Sequence, residues 1–264
     1  MSEPPVIVAK DARGVATVAI NRPRVRNAID DTVIRSLTDA FKTLGTDGET
    51  RIVVLTGRDV AFSAGADLDW MRRMAIGREA ENLASAKTIS AMLRALNELP
   101  KPTIARVNGA AYAAGVGLVA GCDIAVAADE AVFSISEVRI GLVPSTISPY
   151  VLAAIGARAA RRYFLTGESF SAADACRLGL VHKVVPQSGL DEAIEGVISA
   201  LLAGGPHSQS RAKRLIAEIA GRPVDDALEA LTVRSIAEAR ASSEGREGME
   251  AFLNKRKPAW RHEE

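Results

Sequence analysis

Apolar residues come in short bursts along the front of the chain and recur every three or four positions along the rear. Val6–Ala9 and Val15–Ile20 are two β-type runs around Asp11-Ala12-Arg13-Gly14, a hairpin signal, and Pro23 ends the second. Ile34, Leu37, Phe41 and Leu44 then share one face of a helix that Asp30 or Asp31 can cap and that Gly45 and Gly48 close. Arg51–Thr56 is a nearly unbroken apolar run, as a strand covered on both faces requires. A loop over Gly57–Asp69 precedes a helix over Arg78–Asn97, which Pro100 and Pro102 stop. Thr103–Val107, Ile124–Ala127 and Val132–Ile135 read as further strands, and Asn108–Ala114 as a small-residue loop opening a short helix through Leu118 and Val119. From Ser148 onward the pattern is helical, over Ala153–Leu165, Ala172–Leu178, Leu190–Ala203, His207–Ala220, Val224–Arg240 and Arg246–Asn254. Strands alternating with helices, then a helical tail, predict an α/β core over 1–200 and a helical region over 201–264 that packs on the core or on a partner subunit.

Composition narrows the partners. With 264 residues, 48% hydrophobic and 25% charged, the chain can bury a large core beneath an ordinary polar surface. A net charge of +1 argues against nucleic acid or a membrane as the main partner, and 4% aromatics leave little for stacking on bases or sugars. Cys122 and Cys176 sit in apolar, helix-like runs outside any C-x-x-C pair, which reads as free thiols of a reducing compartment. The start, Met1-Ser2-Glu3-Pro4-Pro5, has neither a basic nor an apolar signal region, and no run reaches the length of a membrane span, so the expected location is cytoplasmic.

Two loops carry the candidate chemistry. Ala61-Phe62-Ser63-Ala64-Gly65-Ala66-Asp67-Leu68 and Asn108–Gly117 each follow a buried strand and are rich in small residues, so a ligand can approach the backbone closely at the carboxyl edge of a sheet. The second opens a helix, whose first N–H groups are unpaired and favour negative charge. Together the loops can aim two N–H donors at one oxygen; the bland alternative is close packing without a ligand. Gly115-Val116-Gly117-Leu118-Val119-Ala120 also matches the dinucleotide pattern G-x-G-x-x-A, but Asn108 to Ala114 separate it from the strand that it should follow by a tight turn. Ser63 and Ser145 are not in nucleophile elbows, and His182, His207 and His262 are too scattered for a metal site. Lys255-Arg256-Lys257 is either a solvated helix end or a contact for a phosphate-bearing ligand.

These motifs resemble the crotonase superfamily of enoyl-CoA hydratases and isomerases, and the likeness runs along nearly the whole chain. It rests on Asn21-Arg22-Pro23 with Asn27-Ala28, on the two loops with Cys122-Asp123, on Phe133–Glu137 with Gly141-Leu142-Val143-Pro144, on Leu178-Gly179-Leu180-Val181, and on Ala251–Pro258. The resemblance implies a spiral of β-β-α turns with a C-terminal helical trimerisation region, assembled as a homotrimer or a dimer of trimers. It also implies an oxyanion hole made by the N–H groups of Ala66 and Ala114, and an acyl-CoA thioester as partner. Coenzyme A is then part of the substrate, with no separate cofactor. Arg24, Val25, Asn27, Ala64, Ala66, Asp67, Leu68, Asp69, Ala114 and Gly117 are the implied substrate and CoA contacts, with Lys255–Lys257 as a further one.

Hydratases of this family use two glutamates. The resemblance places one at Glu137, but the other falls on Gly117. Three explanations are open: another group positions the water, with Asp69 ahead of Ser145 and Ser148; a single glutamate shuttles a proton between two carbons, as in a Δ3,Δ2-enoyl-CoA isomerase; or binding survives without turnover, as in a CoA-ligand or RNA-binding relative. The stretches Ser63–Met71 and Glu137–Tyr150 are similar to bacterial methylglutaconyl-CoA hydratases, which implies hydration of a branched or acidic 2-enoyl-CoA. Arg139 then faces a distal substrate carboxylate or else forms a surface ion pair. Trp70, Met71 and Met74 line the acyl pocket or belong to the core.

Overall fold

The structure is a computed structural model that describes residues 3–261; His262 lies outside the described residues. Strands β1 (Val6–Lys10) and β2 (Val15–Ile20) form the expected antiparallel hairpin. Helix α1 (Asp31–Thr46) starts where Asp30 accepts the N–H groups of Thr32 and Val33, and buries Ile34, Leu37, Phe41 and Leu44. Three β-β-α turns follow. The first is β3 (Ile52–Gly57) and β4 (Ala61–Ser63) with α2 (Leu68–Ala75) and α3 (Glu79–Asn97). The second is β5 (Thr103–Val107), β6 (Ala110–Tyr112) and α4 (Ala114–Gly121). The third is β7 (Ile124–Ala128), β8 (Val132–Ser134) and α5 (Ser148–Thr166). The chain continues through β9 (Ser169–Ser171), α6 (Ala172–Leu178), β10 (Lys183–Val185), α7 (Leu190–Leu202), α8 (Pro206–Ile219), α9 (Asp226–Ala241) and α10 (Ser243–Leu253).

In each turn the first strand joins one sheet and the second strand joins another. The larger sheet runs β1-β2-β3-β5-β7-β10, parallel from β2 onward. The smaller runs β4-β6-β8-β9, parallel through β8. The unbroken apolar run of β3 is explained by its two covers. Val53 and Leu55 enter the main core with α1 and α3, whereas Ile52 and Val54 face Leu190, Ile194 and Ile198 of α7.

The spiral predicted by resemblance is present, with corrections of detail. The loops expected over Gly57–Asp69 and Asn108–Ala114 contain β4 and β6, and the first runs into α2. Helix α5 starts at Ser148 rather than Ala153, and α10 at Ser243, where Ser242 caps Gly245. Strands of three residues are too short to show an alternation; β4, β6, β9 and β10 escape a pattern-based reading, and β8 is read only because Val132, Phe133 and Ile135 make a brief apolar run.

Helices α8 to α10 pack on one another and are tied to the core by polar contacts. Lys213 Nζ meets Asp123 Oδ2 at 2.8 Å, and the Arg51 guanidinium donates to the carbonyls of Gly204 (3.0 Å) and Trp260 (3.2 Å). Arg51 precedes β3, so the carbonyl of Trp260 lies against the amino edge of the larger sheet. Among the described residues no helix is long and apolar enough to cross a membrane.

The corner between β3 and β4 depends on Gly57. A Cβ there would lie 2.2 Å from the carbonyl oxygen of Ala61 and 2.3 Å from that of Phe62. Both are backbone atoms that cannot swing aside, so Gly57→Ala is expected to cost at least about 1–3 kcal/mol. A urea titration checks this through a lowered midpoint.

Candidate active site

Three adjacent strands of the smaller sheet end at the same edge, and each releases one residue of the site. Ala66 follows β4, Ala114 follows β6, and Glu137 follows β8. The registers Ala61↔Ala110, Ser63↔Ala111 and Tyr112↔Ser134 hold those ends level, with neighbouring strands about 4.8 Å apart.

Ala66 is aimed by a single parallel bridge to Ile29. The Ile29 N–H donates to Gly65 O (2.7 Å) and the Asp67 N–H to Ile29 O (2.9 Å), so the N–H of Ala66 itself points away from Ile29. Gly65 lies against the second loop: with φ of 84°, a Cβ there would come 3.0 Å from Tyr112 O and 3.2 Å from the Ala113 Cβ. Ala113 holds φ 47°, ψ −112°, a strained conformation for alanine, while its N–H donates to Ser134 O at 2.8 Å. That twist sets Ala114 at the first position of α4, where an N–H has no partner within the helix. Among the described residues neither the Ala66 nor the Ala114 N–H meets an acceptor.

Glu137 opens a short 3-10 turn, Glu137–Ile140. Its side chain is half-buried, and Oε2 is shielded from solvent without a hydrogen-bond partner among the described residues. Burial pushes the carboxyl above its usual value of 4.5, against a smaller opposing pull from its own N–H. Two amide donors and a carboxyl poised to hold or release a proton therefore share one edge.

The position where the resemblance places a second carboxylate is Gly117. Gly117 is buried in α4, and a Cβ there would lie 2.3 Å from Ile147 Cγ2, 2.9 Å from Ile147 Cβ and 3.5 Å from Leu93 Cδ2. Ile147, only 1% exposed, fills the space that a side chain at 117 would take. Gly117 also lies inside α4 rather than at a strand-to-helix turn, which removes the dinucleotide reading.

Several other predicted residues have structural partners. Asp67 caps α2 through Oδ1, which accepts the N–H groups of Asp69 (2.9 Å) and Trp70 (3.1 Å), while Oδ2 meets Arg22 at 2.9 Å. Burial alone would raise its pKa, but the Trp70 N–H and the Arg22 guanidinium outweigh that and hold it low. Buried Asn27 accepts the Arg22 N–H and donates to the carbonyls of Arg58 and Ala61. Asp69 is exposed and pairs with Arg72, Ser145 is exposed, and the Ser148 hydroxyl donates to Ser145 O. Trp70 is buried with its indole N–H on Asp31, and Met71 and Met74 are half-buried beside it. The exposed Arg139 lies along Gly167 with Nε toward Thr166 O. Arg24, Val25 and Leu68 are exposed, and Ala64 donates its N–H to Arg26 O, so the Arg24–Arg26 turn borders the first loop.

Sequence reasoning assigned no role to Arg22 or Ile147. Ile147 is a lone apolar residue within Ser145-Thr146-Ile147-Ser148-Pro149, a polar turn, and that isolation is the only signal it gives. Among the described residues, no group of three or more His, Cys, Asp or Glu is arranged to hold a metal ion.

Comparisons with known proteins point to one family. Residues 10–263 match the enoyl-CoA hydratase/isomerase family. The crystal structure of an enoyl-CoA hydratase from Shewanella pealeana superposes with a TM-score of 0.94 at 38% identity, covering 97% of this chain and 96% of that one. Enoyl-CoA hydratase domain-containing protein 3 of Xenopus laevis, a mitochondrial protein, is 31% identical over 98% of this chain and 87% of its own length. Hydroxycinnamoyl-CoA hydratase-lyase of Pseudomonas fluorescens is 35% identical over 73% of this chain and 71% of its own.

Proposed function

The chain belongs to the enoyl-CoA hydratase/isomerase family, and from that premise we propose that it adds water to, or removes it from, a 2-enoyl-CoA thioester with Glu137 as its only acid/base. The reading is carried by one observation: two amide donors without acceptors and one buried carboxyl oxygen without a partner lie at the ends of adjacent parallel strands. In hydration, the Glu137 carboxylate takes a proton from water as the water oxygen bonds to the β-carbon. The π electrons of the double bond move to the thioester oxygen, where Ala66 and Ala114 donate to the enolate. Glu137 then returns the proton to the α-carbon and the thioester carbonyl re-forms. The donors act mainly on the charge that develops, which lowers the barrier more than it tightens substrate binding.

The CoA moiety crosses the exposed rim at Arg24, Val25 and Leu68 in this reading. A branched or acidic acyl chain is supported by the likeness of Glu137–Tyr150 to methylglutaconyl-CoA hydratases. A homotrimer or a dimer of trimers is supported by exposed Val233, Ile236, Phe252 and Leu253 on α9 and α10.

The packing at Gly117 favours a second reading. An apolar wall holds water poorly, and one carboxyl suffices to move a proton from the α-carbon to the γ-carbon in Δ3,Δ2 isomerisation. Crotonyl-, 3-methylglutaconyl- and 3-enoyl-CoA supplied in ¹⁸O-labelled water separate the two. The hydratase reading expects ¹⁸O at C3 of a 3-hydroxyacyl product. Double-bond migration without ¹⁸O would replace it with the isomerase, and tight CoA binding without any turnover would leave a binding protein.

A further inference from the structure

We propose that Arg22 is a positioning residue that fixes the Ala66 N–H on the thioester oxygen; the proposal rests on the oxyanion-hole reading above. Its guanidinium joins two helix caps. Nη2 meets Asp67 Oδ2 at 2.9 Å, and Nη1 meets Asp30 Oδ2 at 3.2 Å and donates to Ala28 O at 2.7 Å. In each cap the other carboxylate oxygen is already committed. Asp30 Oδ1 accepts the N–H groups of Thr32 and Val33 at the start of α1, and Asp67 Oδ1 accepts those of Asp69 and Trp70 at the start of α2. The two segments gripped in this way, Ala28–Asp30 and Gly65–Asp67, are the ones joined by the Ile29–Ala66 bridge.

That bridge consists of two hydrogen bonds and is isolated from both sheets, so it is a weak guide by itself. Arg22 makes it rigid from the side, and its own N–H is held by the buried Asn27. Without the guanidinium, the buried Asp67 carboxylate and the half-buried Asp30 carboxylate would face each other uncompensated. The cheapest relief is to separate the segments, which carries Ala66 with it. The fork matters as well as the charge, because a lysine ammonium is a single point that cannot hold both carboxylates and Ala28 O in one plane. A displacement of about 1 Å at such a donor costs on the order of 10²-fold in rate.

The test uses Arg22→Lys, Arg22→Gln and Asp67→Asn, the last keeping the α2 cap while removing the partner charge. Turnover is measured beside the absorption band of the enolate that forms when acetoacetyl-CoA binds a pair of oriented donors. The expected result is kcat lowered about 10- to 100-fold in Arg22→Gln and Asp67→Asn, with KM within about threefold, a weakened enolate band, and partial recovery in Arg22→Lys. Folded variants that keep both kcat and the band would overturn the role of Arg22 and leave the hole intact. If the wild-type protein binds acetoacetyl-CoA without any enolate band, the oxyanion-hole reading itself fails.

Discussion

Glu137→Gln is expected to lower kcat by about 10²–10⁴-fold, the usual contribution of a positioned acid/base, while the protein stays folded. The Glu137 carboxyl is half-buried with Oε2 unpaired, and burial raises its pKa above 4.5. A carboxyl that binds its proton more tightly when folded makes the fold less stable as pH rises from the unfolded value through the folded one, because the charged form must then be buried. Glutamine carries no charge, so the variant's thermal midpoint should not fall at neutral pH. Relative to wild type, it should gain stability across that window. The rate has its own signature. The acid limb of kcat/KM should lie above pH 4.5 in the wild type and disappear from the residual activity of the variant. Loss of activity together with loss of fold would instead make Glu137 a structural residue.

Gly117→Glu should unfold the protein more readily, without restoring two-carboxylate hydration. The new Cβ would meet Ile147 Cγ2 at 2.3 Å, within a helix packed against Leu93 and Ile147. Overpacking costs about 1–3 kcal/mol, and burying the carboxylate adds to that. The gain from replacing a helical glycine, about 1 kcal/mol at most, does not offset both. A denaturant titration should show the drop. Pairing the change with Ile147→Gly clears both clashing atoms, so the double variant should regain stability over Gly117→Glu and raise crotonyl-CoA hydration, by up to about 10²-fold. A stable and more active Gly117→Glu single variant would show that Ile147 does not fill the carboxylate's place.

The long elements are legible in the sequence because their burial is periodic. The one-sided stripe of α1 and the doubly covered β3 follow from Leu37, Phe41, Val53 and Val54 without knowledge of any partner. The site was legible only in part. Small residues around Gly65 and Gly115 pointed to a close approach of backbone, but it took the three-residue strands β4, β6 and β8 to bring Ala66, Ala114 and Glu137 to one edge. The resemblance implies Asp67 as a CoA contact, and nothing local in the sequence reveals that its two oxygens serve a helix cap and Arg22. The absence of a glutamate at 117 was visible, whereas its replacement was not. Ile147 reaches that space from the far end of another turn of the spiral, and such a contact has no local signature.

On the proposed mechanism, Ala66 and Ala114 hold an enolate while Glu137 moves the α-proton. Deuterium entering the α-carbon of a saturated acyl-CoA in D₂O, followed by mass spectrometry, isolates that half-reaction from the question of water addition. Exchange by the wild-type protein, with its loss in Glu137→Gln at unchanged CoA binding, is the predicted result. Saturating binding without exchange, or equal exchange in the variant, would contradict it.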